Sequence, residues 1–481
     1  MPLLSAFKRQ CHEAPDNVAF IDGERRLTYR QVEQQAQRLS AHLPAPRQSS
    51  CRVVIALDRG IDAAVAILAV LGMGACYIPL DLKNPTSRLN HILADAAPHC
   101  IVGKGPRPDW LESPASWLDI ELPEASTMPE NWVVATDEEL LAAILYTSGS
   151  TGTPKGVALS RRALRNFTDW ASGAFRLNRQ DRIASLAPFH FDLSVFDLFS
   201  GLSTGATVDF VPAGLTLSPS RLTHWLRVER ISVFYTVPSL LGFIALKGSL
   251  DTMPMPDLKT VLFAGEVFPT FQLKKLCALL PQVDFYNLYG PTETNVCLYW
   301  PVDRERLRND QPIPIGRPAC GATLKIDPNN GELWVQSANN LSGYWQQGRL
   351  TDASSSEGYF RTGDRVSVNE RGEYCYHGRL DRMLKCAGYR VEPAEVEAAI
   401  MQAPGVAGCA VVGVADPTCG CRPAAAVVLQ RGSKLDTVVK MVKQRLPSYM
   451  HPSKFAVVES LPYLSNGKTD YQNLSRLLEN I

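Results

Sequence analysis

The segment Tyr146–Val157, YTSGSTGTPKGV, crowds hydroxyls, glycines and a lysine into one stretch. Thr147, Ser148, Ser150, Thr151 and Thr153 stand among Gly149, Gly152 and Gly156. Hydroxyls and backbone N–H groups can there surround phosphate oxygens, the glycines let the backbone approach, and Lys155 adds positive charge. A Walker loop needs Gly, four residues and then Gly-Lys-Ser/Thr running into a helix. Here Pro154 precedes the lysine, and Gly156-Val157-Ala158-Leu159 reads as a second strand. The segment is therefore a strand–loop–strand device. A generic Ser/Thr/Gly stretch also suits a flexible surface loop.

The elements that must hold this loop alternate in type. Short apolar runs at Val53–Ala56, Ala75–Ile78, Ala143–Tyr146, Ala206–Val211, Val233–Val237 and Thr260–Ala264 read as strands, with helical patterns between them at Gln31–His42 and Ser160–Gly173. That alternation predicts α/β layers with largely parallel sheets. Ala63–Leu80 is uncharged for about the length of a short membrane span. Gly72, Gly74 and Pro79 break it into a buried helix, a turn and a strand. Past Arg379 the pattern changes: a helix is expected over Pro393–Gln402, strands over Gly408–Val414 and Ala424–Leu429, and a helix over Lys434–Arg445. The expected organisation is a large α/β domain over residues 1–380 and a small α+β domain over 381–481.

Bulk properties exclude several classes. A formal net charge of +1 gives no field to draw the chain toward nucleic acid or anionic lipid. The 12 cysteines include no CxxC pair and no neighbouring His cluster, so reduced structural thiols are expected, not zinc. The N-terminus lacks a long apolar run and a small-residue cleavage signal, which points to a cytoplasmic protein.

The loop resembles the signature of the acyl-adenylating superfamily, which includes nonribosomal-peptide adenylation domains, acyl-CoA synthetases and luciferases. Further signatures follow in the family's order: LTYRQV from Leu27, LGMGACYIPLD from Leu71, FDLS from Phe191, NLYGPTET from Asn287, GELWV from Gly331, YFRTGDR from Tyr359, GRLD from Gly378, KCAGYRVE from Lys385, LPSYM from Leu446 and LSNGKTD from Leu464. The resemblance covers essentially the whole chain. It implies ATP and Mg²⁺ as cofactors and a small C-terminal domain that moves.

On residue type alone Lys468 suits a solvated surface near a chain end, Asp364 a turn cap and Tyr289 a core ring. The resemblance implies other roles. Lys468 matches the catalytic lysine that bridges carboxylate and α-phosphate, Thr292 an α-phosphate contact, and Glu293 the Mg²⁺ ligand. Tyr289 matches the ring against adenine, Asp364 the acceptor of both ribose hydroxyls, and Arg379 a second ribose contact. The implied nucleotide site further takes in Thr147, Ser148, Gly149, Ser150, Thr151, Lys155, Gly265, Asn287 and Gly290. Asp381 matches a hinge about which the small domain rotates after adenylation, bringing the Lys385–Glu392 loop to the site. Gly388 would then border the channel for a phosphopantetheine thiol, with Phe191 as its aromatic gate.

The same resemblance places the acid to be activated. Asp192 matches the aspartate that pairs with the ammonium group in amino-acid-activating members, and a buried carboxylate without such a partner would be costly. The implied pocket is Asp192, Leu193, Phe196, Tyr235, Leu262, Ala264, Leu288, Val296, Cys297 and Lys468. Between its two charged ends the lining is apolar and bulky, suited to proline, alanine or valine. Its order resembles L-prolyl-AMP ligases that feed pyrrole- or anatoxin-type pathways, with a D-alanine–carrier protein ligase and a small-acid CoA ligase as alternatives. The chain ends 13 residues beyond Lys468 with no phosphopantetheine attachment motif. The expected acceptor is accordingly a discrete carrier protein.

Overall fold

The computed structural model describes residues 2–44, 51–121, 135–149, 153–308, 311–353, 357–416, 420–462 and 469–479. Among these residues two large sheets carry the N-terminal domain. The first has nine strands, and six of them, from Asp284–Tyr289 through Thr260–Phe263, Val233–Thr236, Arg182–Ser185 and Thr207–Phe210 to Val18–Asp22, run parallel. The second has eight strands, parallel from Leu141–Thr147 through Cys76–Pro79, Arg52–Ile55 and Cys100–Gly103 to Ser116–Asp119. Parallel strands covered on both faces read as near-continuous apolar runs, which is why they were visible in the sequence.

Helix starts follow local chemistry. Thr28 closes a capping box with Gln31 ahead of the helix Tyr29–Ser40. Ser160 accepts from the Ala163 amide at the head of Arg161–Ala174. In Ile61–Gly72 every residue except Asp62 is buried, as expected of a helix apolar on all sides that is sandwiched in a core. Among the described residues no helix is long and apolar enough to cross a membrane, and no disulfide joins the described cysteines.

One layer was not anticipated. Thr323–Ile326, Glu332–Gln336, Phe360–Val368 and Tyr374–Arg379 form an antiparallel four-stranded sheet, packed around Leu298, Leu333, Val335 and Val366. Its strands alternate buried and exposed residues, as in Phe360–Val368, and so lack the apolar runs that mark the parallel sheets. The small C-terminal domain has its own core, in which Pro393–Met401 and Leu435–Arg445 pack through Val396, Ile400, Val438 and Val442 against Val411, Ala425 and Val427 of a three-stranded sheet. The hairpin of Leu384–Cys386 and Tyr389–Val391 projects from it toward the large domain.

Candidate active site

A cleft of about 1000 Å³, measured to its open mouth, lies where the large sheets, the antiparallel layer and the projecting hairpin meet. Strand Leu141–Thr147 delivers Thr147 and Ser148 to its wall and pairs antiparallel with Lys155–Ser160, so the phosphate-loop candidate is indeed strand–loop–strand. Gly149 leaves no space for a side chain, because a Cβ there would meet the Thr153 carbonyl oxygen at 2.0 Å. Ser150 and Thr151 lie outside the described residues, as does Lys468.

Asn287–Glu293 leaves the edge of the parallel run. Gly290, Thr292 and the preceding loop residue Gly265 line the cleft. Gly290 is crowded by the Asn295 carbonyl oxygen, which a Cβ would meet at 1.5 Å. Asn287 instead turns its amide into the fold, donating to the Pro314 carbonyl at 2.8 Å. Tyr289 is buried and its hydroxyl donates to Asp364 Oδ2 at 2.6 Å. Arg379 donates to Asp364 Oδ1 at 3.1 Å and to the Thr362 carbonyl at 2.6 Å. Asp364 and Arg379 both border the cleft, so a carboxylate and a guanidinium are fixed side by side there. Asp381 accepts from Arg379 Nε at 2.8 Å and caps the Met383 amide at 3.2 Å.

Glu293 is as enclosed as Asp364, each 1% exposed. Its Oε1 accepts from Tyr344 Oη and Arg390 Nη1, each at 2.9 Å, with Lys155 Nζ at 3.4 Å. Burial works to raise this carboxyl, but Arg390 and Lys155 outweigh it and hold it down to about 2. Its Oε2 is buried with no hydrogen-bond partner. An orphaned anionic oxygen beside the Thr147–Lys155 loop fits an oxygen-seeking cation.

At the other end Asp192 opens onto the cleft. Burial raises its carboxyl to about 6, against a hydrogen bond from Thr292 that lowers it. Leu193, Tyr235, Ala264 and Val296 line the cleft beside it. Phe196, Leu262 and Leu288 do not line it. They lie behind these residues in the same apolar cluster, with Phe196 edge-on to Tyr235 at 5.5 Å. Cys297 requires a larger correction. Its thiol faces the antiparallel layer and donates to the Tyr289 carbonyl at 3.6 Å. Adjacent residues entering a strand point to opposite faces, so Val296 and Cys297 do not share the pocket.

The hairpin closes the mouth. Gly388, at φ +82, donates its amide to Glu266 Oε1 at 2.7 Å, and Glu266 Oε2 accepts from the Ser239 amide at 2.8 Å. Phe191 meets Tyr389 edge-on at 4.8 Å, and Tyr389 stacks on Tyr449 at 4.0 Å. Ser148 Oγ donates to the Arg390 carbonyl at 2.7 Å. Behind the hairpin Arg88 and Glu395 form an ion pair between the domains, each side chain 6% and 4% exposed respectively. Glu266, Arg390, Arg88 and Glu395 were not singled out from the sequence. Only Arg390, inside KCAGYRVE, carried any signal there.

Comparison with known proteins agrees with this architecture. Residues 7–345 match the AMP-binding enzyme family, and residues 395–468 match the AMP-binding enzyme C-terminal domain. The L-proline–[L-prolyl-carrier protein] ligase of Streptomyces coelicolor is 38% identical over 499 residues, covering 95% of this chain and 93% of that protein. A protein of the same name from Pseudomonas fluorescens is 35% identical over 495 residues, covering 97% of each. The solved structure of o-succinylbenzoate CoA synthetase from Bacillus subtilis shares the fold, with a TM-score of 0.87 at 21% identity over 100% of this chain and 99% of that one. With nearly its whole length matched and a cleft where its two domains meet, the chain belongs to the AMP-binding enzyme family and is an adenylating ligase.

Proposed function

We propose that this enzyme activates L-proline with ATP as prolyl-AMP and passes the prolyl group to the phosphopantetheine thiol of a discrete carrier protein in the cytoplasm. The observation that carries the reading is Asp192, a carboxylate at the head of an apolar wall of Leu193, Tyr235, Ala264 and Val296. A secondary ammonium on Asp192 would compensate its charge, and the wall offers a hydrocarbon ring its contacts. The two relatives above, both named as L-proline–[L-prolyl-carrier protein] ligases, support the same substrate and acceptor.

In the first half-reaction a carboxylate oxygen of proline attacks the α-phosphorus of ATP and pyrophosphate leaves. Both reactants are anions, so Lys468 and Thr292 are assigned to steady the charge that builds at phosphorus. The loop Thr147–Lys155 is assigned to the phosphates, and Asp364 with Arg379 to the ribose. Glu293 would hold Mg²⁺, which when bound supplies positive charge to the phosphates. In the second half-reaction the small domain, turned about Asp381, presents the hairpin, and the carrier's thiol enters past Phe191 and Gly388. The sulfur attacks the carbonyl carbon, the thiol proton passes to solvent, and AMP leaves with the electrons of the acyl C–O bond.

Amino-acid-dependent ATP–pyrophosphate exchange across the proteinogenic amino acids and D-alanine tests the substrate. L-Proline should give the highest kcat/KM. A preference for D-alanine of about tenfold or more would replace proline, whereas azetidine-2-carboxylate and pipecolate, one methylene away from proline, should be disfavoured by only ~1–3 kcal/mol. Exchange with acetate or aryl acids but no amino acid would mean that Asp192 has been misread. Comparing coenzyme A with a phosphopantetheinylated carrier as acceptor tests the second half.

A further inference from the structure

Glu293 has its charge answered from the small domain in this arrangement. Arg390 comes from the hairpin, reaches Glu293 Oε1 at 2.9 Å, and is itself braced by Glu392 at 3.2 Å from Nε and 3.0 Å from Nη2. Ser148 holds the Arg390 backbone carbonyl at 2.7 Å, so the guanidinium is aimed at Glu293 by both ends of its residue. With Lys155 3.4 Å away, two monovalent cations already face one buried carboxylate. A divalent ion on the orphaned Oε2 would stand within a few ångströms of that half-buried guanidinium. Like charges so close and so poorly solvated repel strongly. Removing both cations would be equally costly, since a buried carboxylate requires a counter-charge.

We propose that Arg390 and a divalent cation are mutually exclusive counterions of Glu293, so that the metal must leave before the Lys385–Glu392 hairpin docks. Arg390 is then a positioning residue that couples the metal state of the site to the placement of the small domain. The inference rests on the reading of Glu293 as the metal-holding residue. It also orders the reaction: release of the metal with pyrophosphate precedes thiol entry, and free Mg²⁺ opposes the docked state.

The test uses nucleotide-free protein with Mn²⁺ as a paramagnetic probe for electron spin resonance. Arg390→Gln should bind Mn²⁺ on the order of tenfold more tightly than wild type. Arg390→Lys, which keeps the cation, should stay close to wild type, and Glu293→Gln should lose the site. In parallel, hydrogen exchange across residues 385–392 should rise in wild type when Mg²⁺ replaces EDTA, as the Gly388 amide leaves Glu266. Equal Mn²⁺ affinity in wild type and Arg390→Gln overturns the proposal, as does exchange over 385–392 that ignores Mg²⁺. Neither readout requires turnover, so a failure of proline activation in the exchange assay leaves this test intact.

Discussion

On one side of the site Lys155, Glu293, Asp364, Arg379 and Arg390 form charged pairs at 2.9–3.4 Å, and one of them belongs to the small domain. On the other side Asp192 stands beside Leu193, Tyr235, Ala264 and Val296, all from the large domain. The first region depends on how the two domains are placed. The second is set by the packing of one apolar cluster, which includes Phe196, Leu262 and Leu288 behind the wall. If the second region holds the acid, as proposed, substitutions there should change what is activated, and substitutions at the domain contact should change which half-reaction proceeds.

The largest effect is expected at Asp192 in the second region. Asp192→Ala should lower kcat/KM for L-proline in pyrophosphate exchange on the order of 10³-fold, as removing one partner of a buried ion pair does. Leu193→Ala should mainly loosen selectivity. Retention of proline exchange by Asp192→Ala would break the assignment of this side to the ammonium group.

Next come two variants expected to behave oppositely. Lys468→Ala should reduce adenylation on the order of 10²–10³-fold and spare thiol transfer from supplied prolyl-AMP. Gly388→Leu should spare adenylation and reduce thiol transfer on the order of 10²-fold, a loss that small misplacements can produce. A Cβ at Gly388 would lie 2.5 Å from Val237 Cγ1, on a backbone at φ +82 that L side chains rarely adopt. Single-turnover assays of each half-reaction separate the outcomes. Equal damage to both steps in both variants would mean that the domains do not alternate.

How much of this was legible in the sequence follows the same division. The parallel strands were readable because burial on both faces leaves apolar runs behind, and the strand–loop–strand form of Tyr146–Val157 because Pro154 and the apolar run after Gly156 rule out a helix there. The antiparallel layer over Thr323–Arg379 left only short alternations. The apolar pocket was read too generously: Val296 faces the cleft whereas Cys297 turns to the Tyr289 carbonyl, after the left-handed Asn295 at φ 49. The domain contacts were hidden for another reason. Arg88 and Glu395 are 307 residues apart, and Arg390 and Glu293 are 97 apart, so no local pattern pairs them.

The Arg88–Glu395 pair gives a more moderate prediction. Glu395→Gln leaves Arg88 buried without its anion, in the docked arrangement only. Thiol transfer should fall about tenfold, with adenylation changed about twofold or less; the full cost of breaking a buried pair is tempered because the domains can separate and rehydrate the arginine. A uniform loss in both steps would make the pair a general stabiliser with no preference between domain placements.

Near neutral pH the smallest effect comes from the titration of Asp192. Burial raises the Asp192 carboxyl from 3.8 to about 6. Only its ionised form pairs with an ammonium group, so kcat/KM for L-proline should fall about tenfold per pH unit below 6 and level off above it. Stability should move the other way. Between roughly pH 4 and 6 the unfolded chain has already released this proton while the folded protein still holds it, so stability falls as pH rises through that window. Above pH 6 the penalty is complete, and Asp192→Asn, which carries no charge to bury, should melt at a higher temperature than wild type. The difference in Tm should grow from pH 4 to 6 and then stay constant, and saturating L-proline should narrow it by supplying the missing counter-charge to wild type alone. A Tm difference that ignores pH, or an activity profile that stays flat until pH 4, would show Asp192 to be well solvated, and the contrast between the two sides of the cleft would lose its electrostatic basis.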